Sequence, residues 1–117
     1  MRVYVDAVAD LFHYGHVNFF RKARACGDFL LVGIHADKIA KSYKRLPILS
    51  MVERIAVVKG CRYVDEVIGD APLAIDHRWI DLHQIDLVVH SDDLSEELEM
   101  RMYKVPIEMG IYRTITY

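Results

Sequence analysis

Strand-like runs alternate with helical or polar segments along the whole chain, and few folds accommodate that order. The apolar runs are "RVYVDAV", "DFLLVGIH", "RYVDEVI", "IDLVVH" and "IYRTITY". They are rich in β-branched and aromatic residues, as strands are. "GHVNFFRKARACG" switches to helical spacing, with Phe19, Ala23 and Cys26 at i, i+4, i+7 and Val17 and Phe20 beside them. Arg21, Lys22 and Arg24 take its outer face. Ser50 and Glu53 have the S-x-x-E spacing of a capping box ahead of an apolar stripe of Val52, Ile55 and Ala56. "APLAIDHRWIDLHQ" reads as a loop entering a helix with Asp76 at its N-cap, and "SEELEMRMYKVPIEMG" as a helix that Pro106 breaks or ends. "ADKIAKSYKRLP" has no clear period and reads as a loop. Strands that alternate with helices imply βαβ units, a parallel sheet and right-handed crossovers.

The 117 residues suit one domain, spanning 1–117. A 53% hydrophobic fraction supplies a core, and a net charge of −2 argues against a nucleic-acid binder that relies on a basic surface. No apolar run approaches the roughly 20 residues of a membrane span. The start, interrupted by Asp6 and Asp10, does not read as a signal peptide. Cys26 and Cys61 form no CxxC and read as buried free thiols, so the expected location is the cytoplasm.

In parallel α/β sheets, ligands bind beyond the carboxyl ends of the strands. The polar residues there are Asp10, His13 and His16 after the first strand, His35 and Asp37 after the second, and His90, Ser91, Asp92 and Asp93 after the fourth. The first group is the most informative. In "DLFHYGHVNFF", His13 and His16 stand three apart at the mouth of a helix, with Gly15 leaving room for a ligand near the backbone. Helix N-terminal N–H groups and the positive end of the dipole favour an anion, and two imidazoles would add donors to a phosphate site. The chain has neither a P-loop nor a GxGxxG. H-x-x-H is also half of a metal site, and one or both histidines could be structural, so all three readings stand on spacing alone.

The sequence "VYVDAVADLFHYGH" resembles the opening of the cytidylyltransferases that activate phospho-alcohols, where the pattern runs approximately D-G-x-F/Y-D-x-x-H-x-G-H. "RKARACGDFLLVGIHAD", Glu53–Arg54, "RYVDEVI", "DAPL" and "IDLVVHSDD" follow in the family's order and at similar spacings, so the likeness covers nearly the whole chain. The wording of "VGIHAD", "AP" and "VVH" is nearest to the phosphoethanolamine branch.

The resemblance implies a Rossmann-like nucleotidyltransferase domain with a five-stranded parallel sheet flanked by helices. It implies transfer of CMP from CTP to phosphoethanolamine, phosphocholine or glycerol 3-phosphate, with release of pyrophosphate. An adenylyltransferase on the same scaffold and a catalytically weak nucleotide-binding protein are the alternatives. By resemblance, His13 and His16 contact the triphosphate and Lys44 the substrate phosphate, with Lys41 as its backup. Asp6, Ala7, Asp10, Gly15, Asp92 and Asp93 fall at nucleotide positions, and Arg54 and Trp79 on the substrate side. Core packing is the competing reading for Trp79, a surface ion pair for Arg54, and a solvated basic loop for Lys44 and Arg45. No residue is assigned to a resident metal; Mg²⁺ is expected to accompany the triphosphate. A homodimer is expected by resemblance. The family's R-T-x-G-I-S-T-T element, which would complete the triphosphate site, is expected after the last strand; Arg113–Thr114 match its first two letters but read as strand, because no Gly-Ile-Ser follows them.

Overall fold

A computed structural model describes residues 1–116. Five strands, β1 (Arg2–Ala7), β2 (Phe29–His35), β3 (Glu66–Ala71), β4 (Leu87–Ser91) and β5 (Tyr112–Ile115), form one parallel sheet in the order β3-β2-β1-β4-β5. The helices are α1 (Tyr14–Arg24), α2 (Asp37–Tyr43), α3 (Met51–Lys59), α4 (His77–His83) and α5 (Glu96–Glu108). The α/β class and the five parallel strands are as the alternating pattern predicts.

Side-chain alternation along β1 divides the core. Val3 and Val5 point to the face packed by α1 and α3, where Phe19, Phe20, Ala23 and Val58 meet them. Tyr4 points to the other face, among Ile75, Ile80, Met102 and Tyr103 of the α4 and α5 side. β1 lies at the centre of the sheet and changes neighbour from β2 to β4. The order therefore reverses at the carboxyl end of β1, and the crevice opens there.

The expected capping box is present. The Ser50 hydroxyl accepts from Glu53 N at 3.2 Å, and Ser50 N donates to the Glu53 carboxylate at 3.0 Å. Asp76 caps α4, accepting from Trp79 N at 2.8 Å.

Some boundaries differ from the sequence reading. Residues 37–43, read as loop, form α2. Its apolar edge is only Ile39, Ala40 and Tyr43, with Ala40 alone fully buried, so no stripe marks it in the sequence. β3 begins at Glu66 rather than Arg62. Asp65 is already committed to the start of β2, its N–H donating to Leu30 O at 3.0 Å and its carboxylate accepting from Leu30 N at 2.7 Å.

Pro106 breaks α5 without ending it, one of the two outcomes expected. The helix runs on to Glu108 with a non-helical Tyr103 (φ −124°, ψ 16°) inside it. Proline deprives the Met102 carbonyl of its intrahelical donor, and Ile75 N takes that donor's place at 2.8 Å. The predicted final strand, 111–117, is seen as Tyr112–Ile115; Tyr117 lies outside the described residues. Cys26 and Cys61 are free thiols. Among the described residues no helix is long and apolar enough to cross a membrane.

Candidate active site

The turn between β1 and α1 is bent by two residues with left-handed backbone, Ala9 (φ 55°) and Leu11 (φ 49°). Such a conformation costs a side-chain-bearing residue about 1–2 kcal/mol. Asp10 sits between them and fastens the turn to the segment ahead of α3. Its carboxylate accepts from Ile48 N and Leu49 N, both at 2.9 Å. Those two N–H groups, in the main, hold its pKa below the usual value.

The turn delivers His13 to the N-cap of α1, where the two histidines cap the helix reciprocally. His13 Nδ1 accepts from Gly15 N at 3.0 Å, and His16 Nδ1 accepts from His13 N at 3.1 Å. An imidazole nitrogen that accepts from a backbone N–H carries no proton, so in each neutral ring the proton resides on Nε2. Both side chains thereby hold an Nε2–H donor in a fixed tautomer at a helix N-terminus. The rings lie 4.3 Å apart, and His16 stacks on Phe12 at 5.2 Å. Burial in the first place, and then the positive charge that His13 and Lys44 would set against it, lower the His16 pKa to about 4. His16 is consequently a neutral donor at physiological pH.

Two adjoining cavities open over this helix end. The outer one, about 420 Å³, is lined by Asp10, His13, His16, Lys44, Arg45 and Pro47, among others. The inner one, about 340 Å³, reaches Asp6 and Ala7 at its floor, Tyr43 and Lys44 on the β2 side, and His90, Ser91 and Asp93 on the β4 side. His13, His16 and Lys44 border both. Donors at the centre are thus flanked by a cation on one side and a carboxylate on the other. That layout suits a polyphosphate in the middle with a different group at either end.

Residues 4–114 match the cytidylyltransferase-like family. The chain belongs to this family. It is 48% identical over 120 residues to the ethanolamine-phosphate cytidylyltransferase of Arabidopsis thaliana, a match covering 97% of this chain and 28% of that protein. It is 42% identical over 120 residues to the ethanolamine-phosphate cytidylyltransferase of Dictyostelium discoideum, covering 98% and 33%. The chain therefore spans a third or less of the length of these curated relatives. The crystal structure of the lipopolysaccharide core biosynthesis protein from Thermoplasma volcanium GSS1 shares the fold, with a TM-score of 0.80, 24% identity and coverage of 100% of this chain and 98% of that one.

Of the residues expected in a cytidylyltransferase site, the structure gathers Asp6, Ala7, Asp10, His13, Gly15, His16, Lys44 and Asp93 around the two cavities. Ala7, where the family pattern has glycine, is the last residue of β1 and has no left-handed backbone, so its methyl costs no strain. Asp93 accepts a hydrogen bond from Ser91 Oγ. Asp92 points away from the cavity lining and accepts from the Thr116 hydroxyl at 2.6 Å.

Lys41 is exposed on α2 and lines neither cavity. Trp79 packs on the opposite face of the sheet, edge-on to Tyr4 at 6.2 Å. Arg54 is fully buried. It donates to the carbonyls of Val8 (2.9 Å), His35 (2.8 Å) and Leu49 (3.3 Å) and to the Asp37 carboxylate (2.6 Å). In this arrangement it ties the ends of β1 and β2 to α3.

Pattern reading passed over Tyr43, which lines the inner cavity, and Tyr103, which is buried behind it on Asp6. Tyr43 lay in a segment without a period, and Tyr103 reaches Asp6 only because α5 kinks. The helical spacing of Ile39 to Tyr43 was the available signal for the first; none existed for the second. Among the described residues no group of three or more His, Cys, Asp or Glu side chains is arranged to hold a metal ion. That donor set does not fit a resident metal.

Proposed function

We propose that this chain carries the site that transfers CMP from CTP to a phospho-alcohol, releasing pyrophosphate, with phosphoethanolamine as the acceptor nearest its relatives. The observation that supports this best is the His13–His16 pair, whose Nε2–H donors are fixed by reciprocal capping at the junction of the two cavities. In this reading the triphosphate lies across the helix N-terminus. The nucleoside extends toward Asp93, and the acceptor phosphate enters beside Lys44.

An oxygen of the acceptor phosphate attacks the α-phosphorus of CTP. The P–O bond between the α and β phosphates breaks, and pyrophosphate leaves with the electron pair. The attacking oxygen is already ionised, so no general base and no covalent enzyme intermediate are required. What the protein supplies is approach and charge stabilisation. Lys44 acts as a point charge that offsets repulsion between two anions. Two imidazole N–H groups and the helix end meet the charge that shifts onto the phosphoryl oxygens.

Mg²⁺ belongs to this proposal as an ion that arrives on the triphosphate, held by phosphate oxygens and water. A cytoplasmic homodimer also belongs to it, on family likeness alone.

The test is pyrophosphate release with CTP or ATP against phosphoethanolamine, phosphocholine and glycerol 3-phosphate, each with Mg²⁺. CTP with phosphoethanolamine should give the highest kcat/KM. Equal turnover of ATP would move the reading to the adenylyl alternative. Release with no pair, while CTP still binds, would leave a nucleotide-binding protein without transfer.

A further inference from the structure

Beneath the inner cavity, four side chains from four different elements form a line. The Tyr103 hydroxyl of α5 donates to Asp6 Oδ1 at the end of β1. Asp6 Oδ2 lies 3.6 Å from His35 Nε2 at the end of β2. His35 Nδ1 meets the Tyr43 hydroxyl of α2 at 2.5 Å. Tyr103 and His35 are wholly buried and Asp6 nearly so. Neither Asp6 Oδ2 nor His35 Nε2 has a hydrogen-bond partner among the described residues.

Burying a carboxylate and an imidazole costs free energy that a simple apolar floor would avoid. What distinguishes the line is its outer end. Tyr43 borders the cavity immediately before Lys44, whose ammonium stands 5.7 Å over the Tyr43 ring. A phenol can take part in three hydrogen bonds. With His35 Nδ1–H donating to the phenol oxygen, Tyr43 keeps its own O–H to donate to an anionic ligand.

The geometry points to Tyr43 as a further ligand-binding residue, its hydroxyl contacting the phosphate of the acceptor alcohol next to Lys44, with His35 and Asp6 as positioning residues behind it. This deepens the transfer reading and rests on it for the identity of the ligand. Tyr43 stands on the β2 side with Lys44, across His13 and His16 from His90 and Asp93, so its contact belongs to the acceptor and not to the base. His35 is the link that fixes the direction of the phenol. A free tyrosine at the C-terminal end of a short helix would have rotamers to choose among, and ordering it on binding would consume affinity.

The experiment compares wild type with Tyr43→Phe, His35→Leu, His35→Asn and the Tyr43→Phe/His35→Leu double variant. It follows steady-state kinetics, calorimetric binding of phosphoethanolamine and melting temperature. Tyr43→Phe should raise the KM for phosphoethanolamine roughly tenfold, the size expected of one hydrogen bond to a charged group. The KM for CTP and the melting temperature should hold.

His35→Leu should raise the same KM, and the double variant should be no worse than Tyr43→Phe, because His35 acts only through the hydroxyl. Asparagine at 35 sets an amide where Nδ1 stood and should recover most of the affinity. If His35→Leu fails to fold, Tyr43→Phe and His35→Asn still decide the matter.

An unchanged phosphoethanolamine KM in Tyr43→Phe, or a change confined to CTP, overturns the assignment while leaving the transfer reading intact. Should the wild type bind phosphoethanolamine without turnover, weaker binding by Tyr43→Phe supports the contact and sinks the transfer. Absence of wild-type binding overturns both.

Discussion

His16 holds two roles on one ring, and they can be separated by substitution. Nδ1 accepts from His13 N at 3.1 Å, closing the capping box of α1, while Nε2–H is left for a ligand. Alanine removes both. Losing a cap costs about 1 kcal/mol, which for a chain of this size lowers the melting temperature by roughly 4 °C. Losing a preorganised donor to a transferring group typically costs about 10²–10³ in rate. Asparagine places an oxygen near the Nδ1 position and nothing at Nε2, so it should restore melting without restoring turnover. Glutamine can accept from His13 N and present an amide N–H beyond it, and should recover both in part. Glutamate should cap well at a helix N-terminus, yet it sets a negative charge where phosphate belongs, and it should be the least active of the four.

The assay is single-turnover rate and melting temperature on the same samples. An asparagine variant with wild-type rate would refute the Nε2 donor, and an alanine variant with wild-type melting would refute the cap.

The same ring carries a pH signature. Its folded pKa is lowered from 6.5 to about 4, chiefly by burial. Between those values the unfolded chain binds more protons than the folded one, so His16 makes stability fall as pH drops through that window. Asp10, with its pKa lowered by two backbone N–H groups, acts in the same sense at lower pH. The alanine variant should therefore lose part of the acid dependence of melting below pH 6.5. A melting curve against pH that is parallel to wild type throughout would count against a ring held neutral by burial.

Three other outcomes follow from particular contacts. Lys44→Ala should raise the KM for the phospho-alcohol more than that for CTP, because the lysine stands on the acceptor side; a loss confined to CTP affinity would reverse the assignment. Arg54→Lys should destabilise the fold by about 2–4 kcal/mol, since one ammonium cannot serve four separated acceptors and stranded buried carbonyls cost about 1–3 kcal/mol each; denaturant titration with an unchanged midpoint would contradict this. Gly33→Ala should cost about 1–3 kcal/mol by overpacking, because a Cβ there would lie 2.1 Å from the Tyr4 hydroxyl and 2.8 Å from Ala71 Cβ, and equal thermal stability would show that Tyr4 can swing aside.

What the sequence made legible, and what it hid, follows from the range over which each feature is determined. Strand patterning, the Ser50–Glu53 box and the Asp76 cap depend on residues within one turn or one pleat of each other, and the structure shows all of them. The histidines were conspicuous for the same reason. Their shared tautomer was not, because H-Y-G-H shows the spacing of a capping box only once His13 is known to stand at the N-cap.

Features that depend on distant partners could not be read. Arg54 was expected on the substrate side, with a surface ion pair as the competing reading, yet its acceptors come from positions 8, 35, 37 and 49. Helix α2 has too few buried residues to write a period, and its first turn is fastened by Arg54 through Asp37. The course of α5 past Pro106 depends on Ile75 accepting the role of donor to Met102, some thirty residues upstream. These non-local ties share a destination. Arg54 joins the ends of β1 and β2 to α3, Asp10 joins the β1–α1 turn to the segment ahead of α3, and the kink in α5 brings Tyr103 onto Asp6. Each fixes a strand end or turn that borders the cavities, where close packing is absent by necessity and polar contacts must hold the backbone instead. The residues hardest to place from sequence are thus the ones that keep His13, His16 and Lys44 in register.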